Sequence, residues 1–206
     1  MKMNLPNKLT LVRFLLALIT VILLVLPWSS MGVTPVVIPT VGFSVIDLVC
    51  CLFFIIASIT DAVDGHIARS RNLVTDFGKF MDPLADKFLV NASLIALAVI
   101  KPDMLPAIVV VLFIGRDLAV DGLRFIAASK GEVIAANKWG KAKTIAQMIA
   151  IPFIFVNGFP FNYLLGDYTY IVPLVFICIA LCLSLISGGI YIYSGKKFII
   201  GSNKNE

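Results

Sequence analysis

Residues 61–87 read DAVDGHIARSRNLVTDFGKFMDPLADK, and the rest of the chain is organised around them. Five of the twelve acidic residues stand here: Asp61, Asp64, Asp76, Asp82 and Asp86. The segments on either side are apolar enough to sit in lipid, where an ionised carboxylate is costly and is kept only if it is paired or bound to something. Asp61 and Asp64 are three apart and Asp82 and Asp86 four apart, so each pair shares one face of its helix. Two helix faces with two carboxylates each require cationic partners, whereas Asp76, between them, reads as a capping or solvated residue.

Working outward, the chain of 206 residues is 60% hydrophobic and only 14% charged, and its mean hydropathy of +1.00 excludes an ordinary soluble domain. The expectation is an all-α integral membrane protein forming a single domain over residues 1–206. Six segments approach the roughly 17 to 25 residues of a spanning helix: 9–28, 41–59, 82–100, 105–124, 144–159 and 168–193. The first is expected to be a retained helix, since no small-residue cleavage site follows it. Of the seventeen basic residues, all but Lys101 fall in the termini, in the 61–87 stretch or around the fourth connection. The positive-inside rule therefore places both termini and the aspartates on the cytoplasmic side. A net charge of +5 suits anionic headgroups and phosphates there, and no nucleic acid is expected.

Local signals refine this frame. Asn7 or Thr10 is a candidate cap for the first helix, with Pro6 marking the turn before it. Arg13, about a turn further in, either snorkels to the interface or contacts a phosphate. Residues 72–78 read as a short connection in which Thr75 or Asp76 caps a turn. Asp82-Pro83 suits an N-cap followed by proline at the first helical position. The fourth span ends in Arg116-Asp117 and Asp121-Gly122-Leu123-Arg124, which form either an ion-pair network or part of a site. The connection 127–144 carries Lys130, Lys138, Lys141 and Lys143 against Glu132, and reads as an anion-binding region. Cys50, Cys51, Cys178 and Cys182 lie in apolar runs without a nearby histidine and are expected in the core.

Four converging carboxylates suit hard divalent cations, Mg²⁺ or Mn²⁺. His66 is not expected to be a ligand. Two metals held by shared carboxylates are the usual apparatus for in-line displacement at phosphorus, so phosphoryl-type transfer leads. A cation transporter is a distant alternative, because its acids sit near the bilayer midplane on broken helices. A calcium loop is excluded by the missing D-x-[DN]-x-[DN]-G run.

Asp61-x-x-Asp64-Gly65-x-x-Ala68-Arg69, eight residues, then Gly78-x-x-x-Asp82-x-x-x-Asp86 resembles the signature of the CDP-alcohol phosphatidyltransferases at every fixed position. Residues 4–13, 81–87 and 140–144 are similar to the bacterial branch that uses glycerol 3-phosphate as acceptor. One departure is Asp117, where that branch has glutamate after the arginine. The resemblance implies that Asp61, Asp64, Asp82 and Asp86 hold two Mg²⁺ or Mn²⁺ ions, with Asp86 as general base. It implies CDP-diacylglycerol contacts from Gly65, Ala68, Arg69, Gly78, Asn7, Thr10 and Arg13. Arg116, Lys138, Lys141 and Lys143 are the candidates for the acceptor phosphate. It further implies a homodimer among membrane lipids of the bacterial cytoplasmic membrane, with the site on its cytoplasmic side. A sister enzyme acting on inositol phosphate or another alcohol is the near alternative.

Overall fold

The computed structural model describes residues 4–70, 75–132, 134 and 137–199, with no side-chain description for 5, 6, 62–70, 76, 79 and 197–199. Six long helices run through it: α1 Leu5–Val25, α2 Val45–Ser70, α3 Asp76–Ile100, α4 Ala107–Ser129, α5 Lys138–Phe155 and α7 Ile171–Ile199. A single helical turn, α6 Asn162–Leu165, lies between α5 and α7. No strand occurs among the described residues, only an isolated bridge between Val37 and Ser44. The six long helices agree in number with the six expected spans.

Segments Asn7–Val25, Phe80–Ile100 and Asn162–Lys196 are long and apolar enough to cross a membrane by length and composition alone. The other three long helices carry charge toward one end: Asp61 and Asp64 in α2, Arg116 through Arg124 in α4, and Lys138 through Lys143 in α5. Rows of large apolar side chains face outward, among them Leu15, Ile19 and Ile22 on α1, Val111 and Phe125 on α4, and Val175, Ile179 and Ile186 on α7. Such a surface suits lipid and would be an aggregation liability in water. The chain is a multi-pass membrane protein.

The core lies where the helices meet. Phe54, Leu89, Leu94, Leu97, Phe113, Ile151, Ile154 and Phe155 are inaccessible or nearly so. Helix α1 packs along both α2 and α3, whereas α5 and α4 pack on α7. Cys50 and Cys51 are buried as expected, but Cys178 and Cys182 are exposed on the outer face of α7. Only one stripe of a helix hydrophobic all round meets its neighbours, so cysteines there need not be internal.

Three expected helix starts move. Helix α1 begins at Leu5 after Asn4, with Pro6 in its first turn, where the missing N–H costs nothing. Asn7 and Thr10 are therefore interior residues and not caps. Helix α3 begins at Asp76, because the Thr75 hydroxyl accepts the Gly78 N–H at 3.0 Å and satisfies a donor that the helix end leaves unpaired. Asp82-Pro83 is thus inside α3. Pro83 forfeits one backbone bond, and Asp82 does not cap a helix start: its Oδ1 instead accepts from Thr10 on α1. Helix α5 starts at Lys138, where Asn137 Oδ1 accepts from Gly140 N at 2.6 Å. Lys138, Lys141 and Lys143 consequently ride on a helix and not in a loop.

Candidate active site

Elements far apart in sequence bring their polar residues to one end of the bundle. Helix α2 is continuous through residues 61 and 64, which keeps the three-residue spacing of that pair on one helix. The side chains of Asp64, Gly65, His66, Ala68 and Arg69 lie outside the described residues. Asp61 is one-third exposed and ion-paired with Arg13, whose side chain is wholly inaccessible. Arg13 therefore does not snorkel to an interface. Thr10 Oγ1 donates to Asp82 Oδ1 at 2.6 Å. Thr75 Oγ1 donates to Asn7 Oδ1 at 3.0 Å. Gly78 sits under these contacts: a Cβ there would lie 3.1 Å from Asn7 Oδ1 and 3.3 Å from Thr75 Oγ1, so any side chain would have to push these groups back by a few tenths of an ångström.

Asp86, one turn beyond Asp82, is the open member of the set. Its Oδ1 is buried and has no hydrogen-bond partner. The charges of Asp61, Arg13, Lys143 and Lys87 all bear on it. It borders a cavity of about 250 Å³ that is also lined by Arg116, Arg124, Lys141, Lys143 and Tyr191. Lys138 is exposed and does not line this cavity, so of the four expected acceptor cations three converge and one does not.

Two of those three are already engaged. Lys143 Nζ donates to Asp117 Oδ1 and Oδ2 at 2.9 and 2.7 Å. Arg116 donates to Asp117 Oδ1 at 2.9 Å, to the Ser184 carbonyl at 3.1 Å and to Ser187 Oγ at 2.6 Å. Asp117 is therefore the common anchor of both cations. Its shorter side chain keeps the acid that the glutamate of the similar branch would supply. Lys87 pairs with Asp121 across the cavity.

Helix α7 supplies what the sequence reading missed. Tyr191 Oη accepts from Arg124 Nη2 at 2.7 Å and from the Asn137 N–H at 3.0 Å. Its ring lies 5.0 Å beneath the Arg124 guanidinium, within cation–π range. Ser187 Oγ also donates to Asn137 Oδ1 at 3.1 Å, supporting the cap of α5. A Cβ at Gly188 would meet Arg116 Cγ at 2.9 Å, which leaves room only for glycine beside that arginine. The one signal for it in the sequence is a stripe: Ser184, Ser187, Gly188 and Tyr191 recur at i, i+3, i+4 and i+7 in a largely apolar helix.

Among the described residues, no three acidic side chains are drawn together tightly enough to make a metal cage, with Asp64 outside that set. The donor chemistry nonetheless fits a hard cation. The available ligands are carboxylate oxygens, the buried Asp86 Oδ1 lacks a partner, and buried polar atoms left in that state are rare unless something else occupies them.

The fold and the site together define a helical multi-pass membrane protein with a basic cavity bordered by Asp86. A family model, CDP-alcohol phosphatidyltransferase, matches residues 3–186, and the chain belongs to that family. A Bacillus subtilis (strain 168) protein named CDP-diacylglycerol--glycerol-3-phosphate 3-phosphatidyltransferase is 48% identical over 161 residues, 77% of this chain and 80% of the relative. Proteins of the same name from Mycoplasma pneumoniae and Haemophilus influenzae are 39% and 32% identical over 202 residues. They cover 91% and 97% of this chain, and 86% and 97% of their own lengths. Ser187, Gly188 and Tyr191 lie beyond the last residue the family model matches.

Proposed function

We propose that this protein transfers the phosphatidyl group of CDP-diacylglycerol to glycerol 3-phosphate, giving phosphatidylglycerophosphate and CMP. The observation that carries the reading is the basic cavity of about 250 Å³ beside Asp86. It provides an anion-binding space next to a buried carboxylate with a free oxygen, as a phosphorylated acceptor would need.

Arg116, held by Asp117, Ser184 and Ser187, presents a fixed guanidinium plane suited to phosphate. Arg124, oriented by Tyr191, and Lys141 at the cavity wall add charge. With the acceptor phosphate held there, its hydroxyl lies toward Asp86, which takes the proton as the oxygen attacks the phosphatidyl phosphorus. A positioned base of this kind contributes on the order of 10²–10⁴-fold in rate. The bond from that phosphorus to the CMP oxygen breaks, and CMP departs. Asp61, Asp64, Asp82 and Asp86 would hold two Mg²⁺ or Mn²⁺ ions, which when bound would neutralise the pyrophosphate and the charge developing on CMP. Gly65, Ala68 and Arg69 are the proposed nucleotide contacts on the last turns of α2.

The six long helices are proposed to cross the bacterial cytoplasmic membrane, with both termini and the site facing the cytoplasm. The one-sided placement of basic residues supports this orientation. The protein is proposed to act as a homodimer.

CMP release by the purified protein in detergent or vesicles, supplied with CDP-diacylglycerol and each candidate acceptor, tests the reading. Release with glycerol 3-phosphate, abolished by EDTA and restored by Mg²⁺ or Mn²⁺, is expected. Release only with inositol phosphate reassigns the acceptor, and EDTA-resistant turnover removes the metal.

A further inference from the structure

We propose that α1 is the template that spaces the two carboxylate-bearing helices, with Thr10 and Arg13 acting as positioning residues for Asp82 and Asp61. The proposal rests on the reading above that these aspartates hold a divalent cation.

Helices α2 and α3 each pack extensively on α1 but scarcely on each other. The separation of Asp61 from Asp82 is therefore not set by direct contact between their own helices. It is set through α1, and the contacts that do so follow its periodicity. Asn7, Thr10 and Arg13 are three apart in turn, so they share one stripe of the helix. Asn7 accepts a hydrogen bond from Thr75, the N-cap of α3. Thr10 donates to one oxygen of Asp82. Arg13 pairs with Asp61 on α2.

Burial separates this role from direct substrate contact. Asn7 is 7%, Thr10 1% and Arg13 0% exposed, so neither Thr10 nor Arg13 offers surface to a donor lipid. Each instead reaches a carboxylate. A hydroxyl donated to Asp82 Oδ1 fixes the orientation of the carboxyl group and leaves Oδ2 for another partner. The Arg13 guanidinium fixes Asp61 in the same way and offsets its charge. Contacts of this sort, one shell out from a metal, are commonly worth 10- to 100-fold in metal affinity, roughly.

Mn²⁺ binding to the purified full-length protein, followed by electron paramagnetic resonance of the free ion without substrates, tests the proposal. Thr10→Val preserves the side-chain volume and removes the hydroxyl. It is expected to weaken Mn²⁺ binding on the order of tenfold, with Thr10→Ser restoring it. Arg13→Lys keeps the charge but loses the planar fork, and should weaken binding as well. Thermal melting of each variant checks that it is folded, and the two substitutions are independent, so loss of one to misfolding leaves the other decisive. Wild-type Mn²⁺ affinity in the folded variants, with a raised KM for CDP-diacylglycerol at saturating Mn²⁺, would overturn the proposal and make both residues donor contacts. A parent protein that binds no Mn²⁺ would instead remove the metal reading, and the template role with it.

Discussion

The two ends of the helix bundle both bury charge, and they treat it differently. At the far end, Lys101 Nζ donates to the carbonyls of Ile154 and Phe155 at 3.2 and 2.6 Å and to Asn157 Oδ1 at 2.7 Å. Three donors meet three acceptors, and the Asp47 carboxylate stands 3.3 Å away. Asp47 in turn accepts from the Ser44 N–H. Burial pushes the Lys101 ammonium below the ordinary lysine range, while Asp47 pulls it back up. The buried pair here is saturated, because Lys101 and Asp47 find their partners inside the protein. About 22 Å away along α3, fifteen residues at 1.5 Å each, Asp86 keeps a buried oxygen without a partner beside a cavity. A saturated ion pair holds helices together, whereas an unsaturated one is available for chemistry. The contrast distinguishes structural from functional charge without any appeal to resemblance.

The sharpest way to break this contrast is to neutralise each end in turn. Asp86→Asn should stay folded, because it removes a buried charge whose Oδ1 lacks a partner. Turnover should fall by on the order of 10²–10⁴-fold. CMP release together with a melting curve checks both halves, and near-wild-type turnover would deny Asp86 its role. Lys101→Met should do the opposite. It leaves Asp47 and two C-terminal carbonyls of α5 buried without their cation, and losing one partner of a buried pair costs about 3–5 kcal/mol. The melting temperature should drop while kcat, measured well below the transition, is unchanged. A variant that melts like wild type would show that this end is not a staple.

Much of this contrast was legible in residues 61–87. The paired spacings and the one-sided charge singled out Asp61, Asp64, Asp82 and Asp86, because the helical period and the cost of charge in lipid are local rules; of these, the Asp64 side chain lies outside the described residues. What escaped was non-local. Lys101 read as the lone cation on its side, yet its partners come from α2, from the end of α5 and from Asn157 just past it, 53 to 56 residues away in sequence. For Arg13 the sequence leaves snorkelling and a phosphate contact open, because nothing in it shows that α1 packs along both α2 and α3. Thr75 won the start of α3 from Asp82 because its hydroxyl also reaches Asn7 on another helix. Tyr191 was missed because it stands beside Tyr193 near the end of a largely apolar helix, and only Arg124 and Asn137 against Tyr191 tell the two apart.

The smallest effect sharpens the comparison within the open end itself. Lys143 is buried and already bound to both oxygens of Asp117, whereas Lys141, two residues earlier on α5, is exposed at the cavity wall. If unsaturated charge marks function, Lys141 is the better lysine for an arriving phosphate, since Lys143 has two of its three donors on Asp117. Lys141→Ala should therefore raise KM for glycerol 3-phosphate, leaving KM for CDP-diacylglycerol and the melting temperature nearly unchanged. The rise should be on the order of tenfold or less, since water screens an exposed ammonium. Lys143→Ala should lower the melting temperature as well, because it strips a buried carboxylate of one of its two cations. Steady-state kinetics with each substrate varied in turn distinguish the two. A larger effect of Lys141→Ala on CDP-diacylglycerol would move that lysine from the acceptor pocket to the donor side.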